Sequence, residues 1–421
     1  MHTSHSRRTL FLATVLHACT HVYQVALLPL YLPIQRDFQL PDVGRATLLV
    51  TVLMIAYFLP SYPLGALADR VSRKKLLGLG LAINGAGFIG LSLAPNYATA
   101  LLCVIVAGFG GSFYHPAATA MIARLYPAGT GRALGILGMG ASVGFFLGPI
   151  YCGWRAAASG WRAPLLELGI MGIVGAIVFT LFAREETAPE VQLAEKHHIG
   201  TLFPTPALWL LFIGSALAFS MRDFAGSGMG SHGSLFLQKA HGMDVRSTGI
   251  ALSVIFIASL ISNPLFGGLS DRGRFRWGFV LLVLAALIVG IFPHLPRSGV
   301  IPAFILYGFF FMATFPVVEA ALMESVPDAV RGRVFGFFIT IGGMLGNLSH
   351  WVVGKWVQSL GTSADSPKAF YSAYLFLACM VLMSTLGLLC LSAIRKREGL
   401  SREATRQTLA GAVQPSPVPP A

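Results

Sequence analysis

Twelve apolar stretches, each about as long as a bilayer-crossing helix, take up most of the sequence. A hydrocarbon core about 30 Å thick needs about 20 mainly apolar residues in a helix. Cutting the chain at charges and at Pro and Gly clusters predicts spans over 9–32, 45–67, 76–94, 98–123, 132–154 and 163–183, then 207–237, 246–269, 277–295, 301–323, 334–358 and 369–394. Composition agrees: 11% of the 421 residues are charged, 55% are hydrophobic and the mean hydropathy is +0.71, whereas a soluble domain carries roughly a quarter charged residues. So few charges cannot solvate a water-facing surface. A soluble enzyme, a nucleic-acid-binding domain and a secreted disulfide scaffold are excluded together. The cysteines, Cys19, Cys103, Cys152, Cys379 and Cys390, sit in apolar runs without metal-ligand spacing and read as small hydrophobes.

Charge placement predicts the topology. Of the 30 Lys and Arg, 20 fall in the N-terminus, the linker, the C-terminal tail and the connections 2–3, 4–5, 8–9 and 10–11, and nine fall in the opposite loops. The excess of basic residues marks the cytoplasmic side, so the sequence predicts a multi-pass protein of a bacterial inner membrane with both termini cytoplasmic. The run after Arg7-Arg8 continues to Leu32 without a small-residue cleavage site, which makes it helix 1 and not a signal peptide. The resulting organisation is an all-α membrane protein. It has a six-helix bundle over 1–183, a cytoplasmic linker over 184–206, a second bundle over 207–394 and a disordered tail over 395–421.

The halves repeat. Gly65-Ala-Leu-Ala-Asp69-Arg70 recurs as Gly267-Gly-Leu-Ser-Asp271-Arg272 at an offset of 202, and Gly108, Pro116, Pro127, Arg132 and Gly135 recur as Gly308, Pro316, Pro327, Arg333 and Gly336 at offsets of 200 or 201. Two motifs sharing one period imply a duplicated six-helix unit, hence two pseudo-symmetric bundles with a site between them near the membrane midplane. The stretch Gly65 to Asp69-Arg70-Val-Ser-Arg73-Lys74-Lys75 resembles the signature loop of the major facilitator superfamily. That resemblance implies a two-state gate at Gly65, Asp69, Arg70 and Arg73, with Asp271 and Arg272 as its counterpart. A narrower likeness, to the fosmidomycin resistance group of efflux carriers, rests on Leu16-His17 and Leu28-Pro29-Leu30-Tyr31 in helix 1, Gly110-Gly-Ser-Phe-Tyr-His115-Pro116 in helix 4, and Gly140 to Gly148-Pro149 in helix 5. Gly144, Gly148, Pro149 and Gly153 are similar to the helix 5 motif of proton-coupled antiporters in this superfamily. Small residues one turn apart let backbones meet, and Pro149 bends the helix.

Ionisable groups at membrane depth are costly unless they face a cavity or a partner, so each is a candidate site. The candidates for substrate or proton binding are Arg222, Asp223, Glu319, His21, His17 and His115. Adjacent helical residues point about 100° apart, so Arg222 and Asp223 cannot both satisfy each other by stacking on one face, and at least one is expected to reach another helix, with Glu319 the chosen partner. The glycines at 226, 228 and 230 are expected to make helix 7 easy to break. His115, before Pro116, is expected to bond a carbonyl freed by the kink, and Glu324 to join a gate with Arg331 or Arg333. His17 and His21 share a helix face at a spacing that also suits a metal, but two ligands do not make a site and no metal is predicted. No nucleotide-binding Gly-x-x-x-x-Gly-Lys-Ser/Thr occurs, and no cofactor motif or nucleophile–base set is visible. The expected function is secondary active transport of small organic molecules by alternating access, as efflux in exchange for protons. The alternatives are a proton-linked or facilitative importer of a sugar or organic acid and, further off, a transport-fold sensor. A monomer suffices for such a pathway.

Overall fold

The computed structural model describes residues 4–68, 71–126, 130–184, 202–326 and 331–397, and among these it is helical with no strand. In chain order the spans are α1 (His5–Asp37), the shorter α2 (Val43–Phe58), α3 (Arg73–Leu93), α4 (Tyr97–Ile122), α5 (Ala133–Ser159), α6 (Arg162–Phe182), α7 (Pro206–Lys239), α8 (Val245–Arg272), α9 (Arg274–His294), α10 (Arg297–Ser325), α11 (Arg333–Ser359) and α12 (Pro367–Arg397). All but α2 are long and apolar enough to cross a membrane unaided. The second predicted span is broken because Pro60 and Pro63 lack the N–H a helix needs; the chain resumes as a separate helix, Ser61–Ala68. Most of the predicted linker and the tail beyond residue 397 lie outside the described residues.

Helix starts follow local chemistry. Asp42, Asn96, Thr205 and Asp244 each accept a hydrogen bond from the backbone N–H three residues on, at 2.6–3.3 Å, which satisfies one orphan donor of the first turn. The two halves then use one packing scheme. Contacts α1–α5, α2–α4, α3–α4 and α3–α6 in the first are matched by α7–α11, α8–α10, α9–α10 and α9–α12 in the second. Across the halves the roles exchange, α5 packing on α8 and α2 on α11.

The halves are sealed at the end away from the linker. Gly153 of α5 and Gly249 of α8 pack backbone to backbone: a Cβ on Gly249 would lie 2.3 Å from Pro149 O, and one on Gly153 2.6 Å from Val245 O. Gly144 and Gly148 face the other way, onto Ala18 and Val22 of α1. The glycine motif of helix 5 therefore divides its work between α1 in its own bundle and α8 in the other. Around this contact, Pro33 has no N–H to offer Pro29 O, and Gln238 Nε2 of α7 donates to that carbonyl at 3.2 Å. Thr51 of α2 donates to Asn347 O and accepts from Trp351 N of α11, at 3.0 and 3.1 Å. Toward the linker end, Gly135 of α5, Gly267 and Gly268 of α8 and Gly336 of α11 have nothing within 4 Å of a built Cβ.

Lys355 Nζ bonds Asp42 at 2.8 Å across the same seam. Partial burial works against ionisation of Asp42, but the Lys355 hydrogen bond and charge and the Arg45 N–H outweigh it and hold the carboxyl below its ordinary value. With the folded value depressed, this stabilisation is present above the ordinary carboxylate range and is lost as pH falls through the lowered value. Lys355 is about half exposed, so Asp42→Asn should cost under about 1 kcal/mol. In thermal unfolding that difference should be constant above about pH 5 and vanish in stronger acid. Gly249→Val should cost about 1–3 kcal/mol in overpacking and open the seal. A cysteine placed by Ser231→Cys, in a chain with its native cysteines replaced, should then react with a thiol reagent several-fold faster than in the Gly249 background.

Candidate functional site

Arg222 sits halfway along α7, 2% exposed. Its side chain bends back along its own helix, and Nε and Nη2 donate to Asp223 Oδ1 at 2.9 and 2.8 Å. The two neighbours do bond each other, because the long, flexible Arg stem covers the angle that the shorter Asp cannot, and Arg222 also reaches another helix as expected. Nη1 reaches Thr314 O of α10 at 3.5 Å, and the guanidinium lies over the rings of Phe315, at 4.0 Å, and Phe219, at 5.5 Å. A cation over an aromatic face gains electrostatic attraction when water is excluded. Asp223 is accommodated because α11 presents glycine: a Cβ on Gly342 would lie 2.5 Å from Asp223 Oδ2, and one on Gly346 2.7 Å from its Cβ. Helix α7 is also unbroken at its glycines. Gly226 takes the Phe311 ring, which would lie 2.6 Å from a Cβ there, so the glycine serves packing and the helix continues.

Glu319, one turn after Pro316 on α10, is half-buried and makes no ion pair or hydrogen bond among the described residues. The expected Glu319–Arg222 pair is therefore absent, because Asp223 has taken the guanidinium. Glu319 still lies close enough for both charges of that pair to act on it.

The histidines gather in the first half. His17 and His21 of α1 approach with Nε2 atoms 3.0 Å apart. His115 of α4 packs edge-on to His17, ring centroids 5.3 Å apart. Pro116 withholds the N–H that Ser112 O would use, and α4 breaks between Ser112 and Tyr114, where His115 turns inward. His115 is exposed and makes no hydrogen bond among the described residues, so the expected bond to a freed carbonyl is not formed. The kink positions the ring instead. These three imidazoles are the only described group of three or more His, Cys, Asp or Glu side chains close enough to hold a metal ion.

Of the gate residues, Asp69 and Arg70 lie outside the described residues, and Gly65 lies in the Ser61–Ala68 helix. Arg73 opens α3 and is buried. The counterpart loop is fully visible: Arg274 bonds Asp271 at 2.8 Å and also pairs with Glu324 of α10, while Arg395 of α12 approaches Glu324 to 3.5 Å. Arg272 is exposed. Glu324 is thus gathered by α9 and α12; the side chain of Arg331, one of its two expected partners, lies outside the described residues. Sequence reasoning also missed a polar chain across the halves, in which Tyr31 hydrogen-bonds Ser231 at 2.7 Å, Ser231 bonds His350 Nδ1 at 2.5 Å, and His350 Nε2 lies 3.1 Å from Asn347 Oδ1. Its one visible signal was His350; the others are uncharged and ordinary in isolation.

Removing one partner of a buried ion pair leaves an uncompensated charge, at a cost of about 3–5 kcal/mol. Asp223→Asn should lower stability in detergent unfolding by that order, and Arg222→Met in the same chain should restore most of it.

The sequence matches the family model of the Major Facilitator Superfamily over residues 10–350. It is 29% identical to the multi-drug resistance efflux pump PmrA of Streptococcus pneumoniae, covering 71% of this chain and 76% of that protein. It is 24% identical to the fosmidomycin resistance protein of Escherichia coli, covering 78% and 82%. A solved bacterial homolog of the human lysosomal transporter Spinster, inward-facing and occupied, shares the fold with a TM-score of 0.73 at 20% identity, covering 99% of this chain and all of that one. With two bundles of like packing, a charged centre at membrane depth and a family match across most of its length, the chain belongs to the Major Facilitator Superfamily and is a multi-pass membrane transporter, not an enzyme.

Proposed function

We propose that this protein exports small organic molecules across a bacterial inner membrane in exchange for protons, with Glu319 as the proton carrier. The observation that carries the reading is the division of labour at the charged centre. Arg222 is already neutralised by Asp223, so the half-buried Glu319 carboxyl is left without a fixed partner. A carboxyl whose surroundings alternate between apolar walls and a nearby cation changes its proton affinity as the protein changes state, which is how proton binding is coupled to conformation. The names of the two relatives, one an efflux pump and the other a resistance protein, support export as the direction. The basic residues at the linker end favour a cytoplasmic location for that end and for both termini. On that topology the glycine seal closes the outer side, and the open space around Gly135, Gly267, Gly268 and Gly336 supports a state that opens inward. Bundles 1–183 and 207–394 then rock about the site, and a single chain suffices.

The test is transport in proteoliposomes under an imposed proton gradient, with phosphonates, sugars and lipophilic drugs as cargo. Wild type should move protons opposite to the cargo. Glu319→Gln should lose gradient-driven flux while cargo-for-cargo exchange persists. Cargo flux without proton movement in wild type would make the protein a facilitator and reduce Glu319 to a lining residue.

A further inference from the structure

The histidine cluster carries more than the transport reading uses. His17 Nδ1 lies 2.7 Å from Leu137 O. A carbonyl only accepts, so Nδ1 holds the hydrogen and Nε2 the lone pair. His21 Nδ1 lies 2.9 Å from the Gln24 side-chain amide and, with the amide oxygen turned toward the ring, donates to it in the same way. In that tautomer the two Nε2 atoms, 3.0 Å apart, direct lone pairs at each other, an arrangement that a positive centre between them satisfies. A proton shared by His17 and His21 would need those two nitrogens alone. The third imidazole is the discriminating feature. His115 arrives from another helix, and one nitrogen from each of the three rings lies within 4.8 Å of the others.

We propose that His17, His21 and His115 form a binding site for one divalent transition-metal ion of the Zn²⁺, Ni²⁺ or Cu²⁺ class. Three neutral imidazoles are a donor set for these ions and not for Mg²⁺ or Ca²⁺, which take oxygen. Three protein ligands leave a fourth position open, as in accessible zinc sites. The rings are held as metal-binding histidines are held: carbonyl oxygens receive the far N–H of His17 and His21, which sets the tautomer that aims Nε2 inward. Tyr114 stacks on His17 with centroids 4.6 Å apart and is itself tied to Ala13 O at 2.8 Å. The ion can reach the site because His115 is exposed. The open position can take water or a small chelating anion. None of this depends on the direction or coupling of transport.

The experiment uses the full chain, purified without a polyhistidine tag and stripped with chelator. Zn²⁺ is titrated in competition with a chromophoric chelator, and Co²⁺ is followed by its visible absorption. One ion per chain is expected, with the Co²⁺ bands of a low-coordinate nitrogen site. Loss of an outer-shell partner alone costs about 10–100-fold in affinity, so His115→Ala and His115→Gln should each weaken binding by more than about 100-fold. His232→Ala should leave binding unchanged, since that ring packs against Phe370 and Tyr374 away from the cluster. Ligand binding to the folded state raises its stability, so Zn²⁺ should raise the unfolding temperature of wild type and of His232→Ala but not of the His115 variants. Binding that survives both His115 substitutions, or a wild type that takes up no stoichiometric ion, would overturn the proposal and leave a proton shared between His17 and His21.

Discussion

A guanidinium held out of water at the middle of a membrane helix sets the terms for everything around it. Arg222 cannot be neutralised by losing a proton, so the protein must surround it with groups that tolerate its charge. Asp223 supplies the counter-charge, Phe315 and Phe219 supply ring faces, and Thr314 a carbonyl. Each demand passes outward to a neighbouring helix. Asp223 needs room, and α11 gives it by carrying Gly342 and Gly346 where side chains would collide. The packing of α7 between α10 and α11 is in this sense the cost of keeping one charge buried.

The repeat shows how differently the halves use equivalent positions. At the offset of 200 that relates α4 to α10, His115 corresponds to Phe315, and 201 residues separate His21 from Arg222. In one half the pocket beside Pro316, which α10 carries without a break, is filled by a built-in cation resting on an aromatic ring. In the other it is lined by neutral nitrogen donors with no cation of their own. A duplicated scaffold has become asymmetric in charge.

Much of this was legible in the chain. Helix number, the duplication, the depth of Arg222, Asp223 and Glu319, and the glycine motif of α5 are all one-dimensional features, readable because a bilayer fixes helix length and penalises stray charge. What was not legible depends on side-chain reach and on which helix faces which. The Arg222–Asp223 bond needs the curl of a flexible side chain, which residue spacing does not encode. The third histidine is 94 residues from His21 in sequence and meets it only because Pro116 breaks α4. The partners of Glu324 come from α9 and α12, a neighbourhood that only the bundle packing defines. The break in helix 2 was in principle visible, since Pro60 and Pro63 stand in its path, but hydropathy alone runs straight through them.

The seal at Gly153 and Gly249 has a consequence for how such a protein can vary over generations. Where helices meet through side chains, closure can be adjusted in small increments by trading one methylene for another. Here backbone meets backbone, with Pro149 O 2.3 Å from where a Cβ of residue 249 would stand, so the smallest available change is already a collision. The balance between the two states cannot be tuned gradually at this contact. Gradual adjustment of the closure is left to the side chains around this contact, where one methylene can be traded for another.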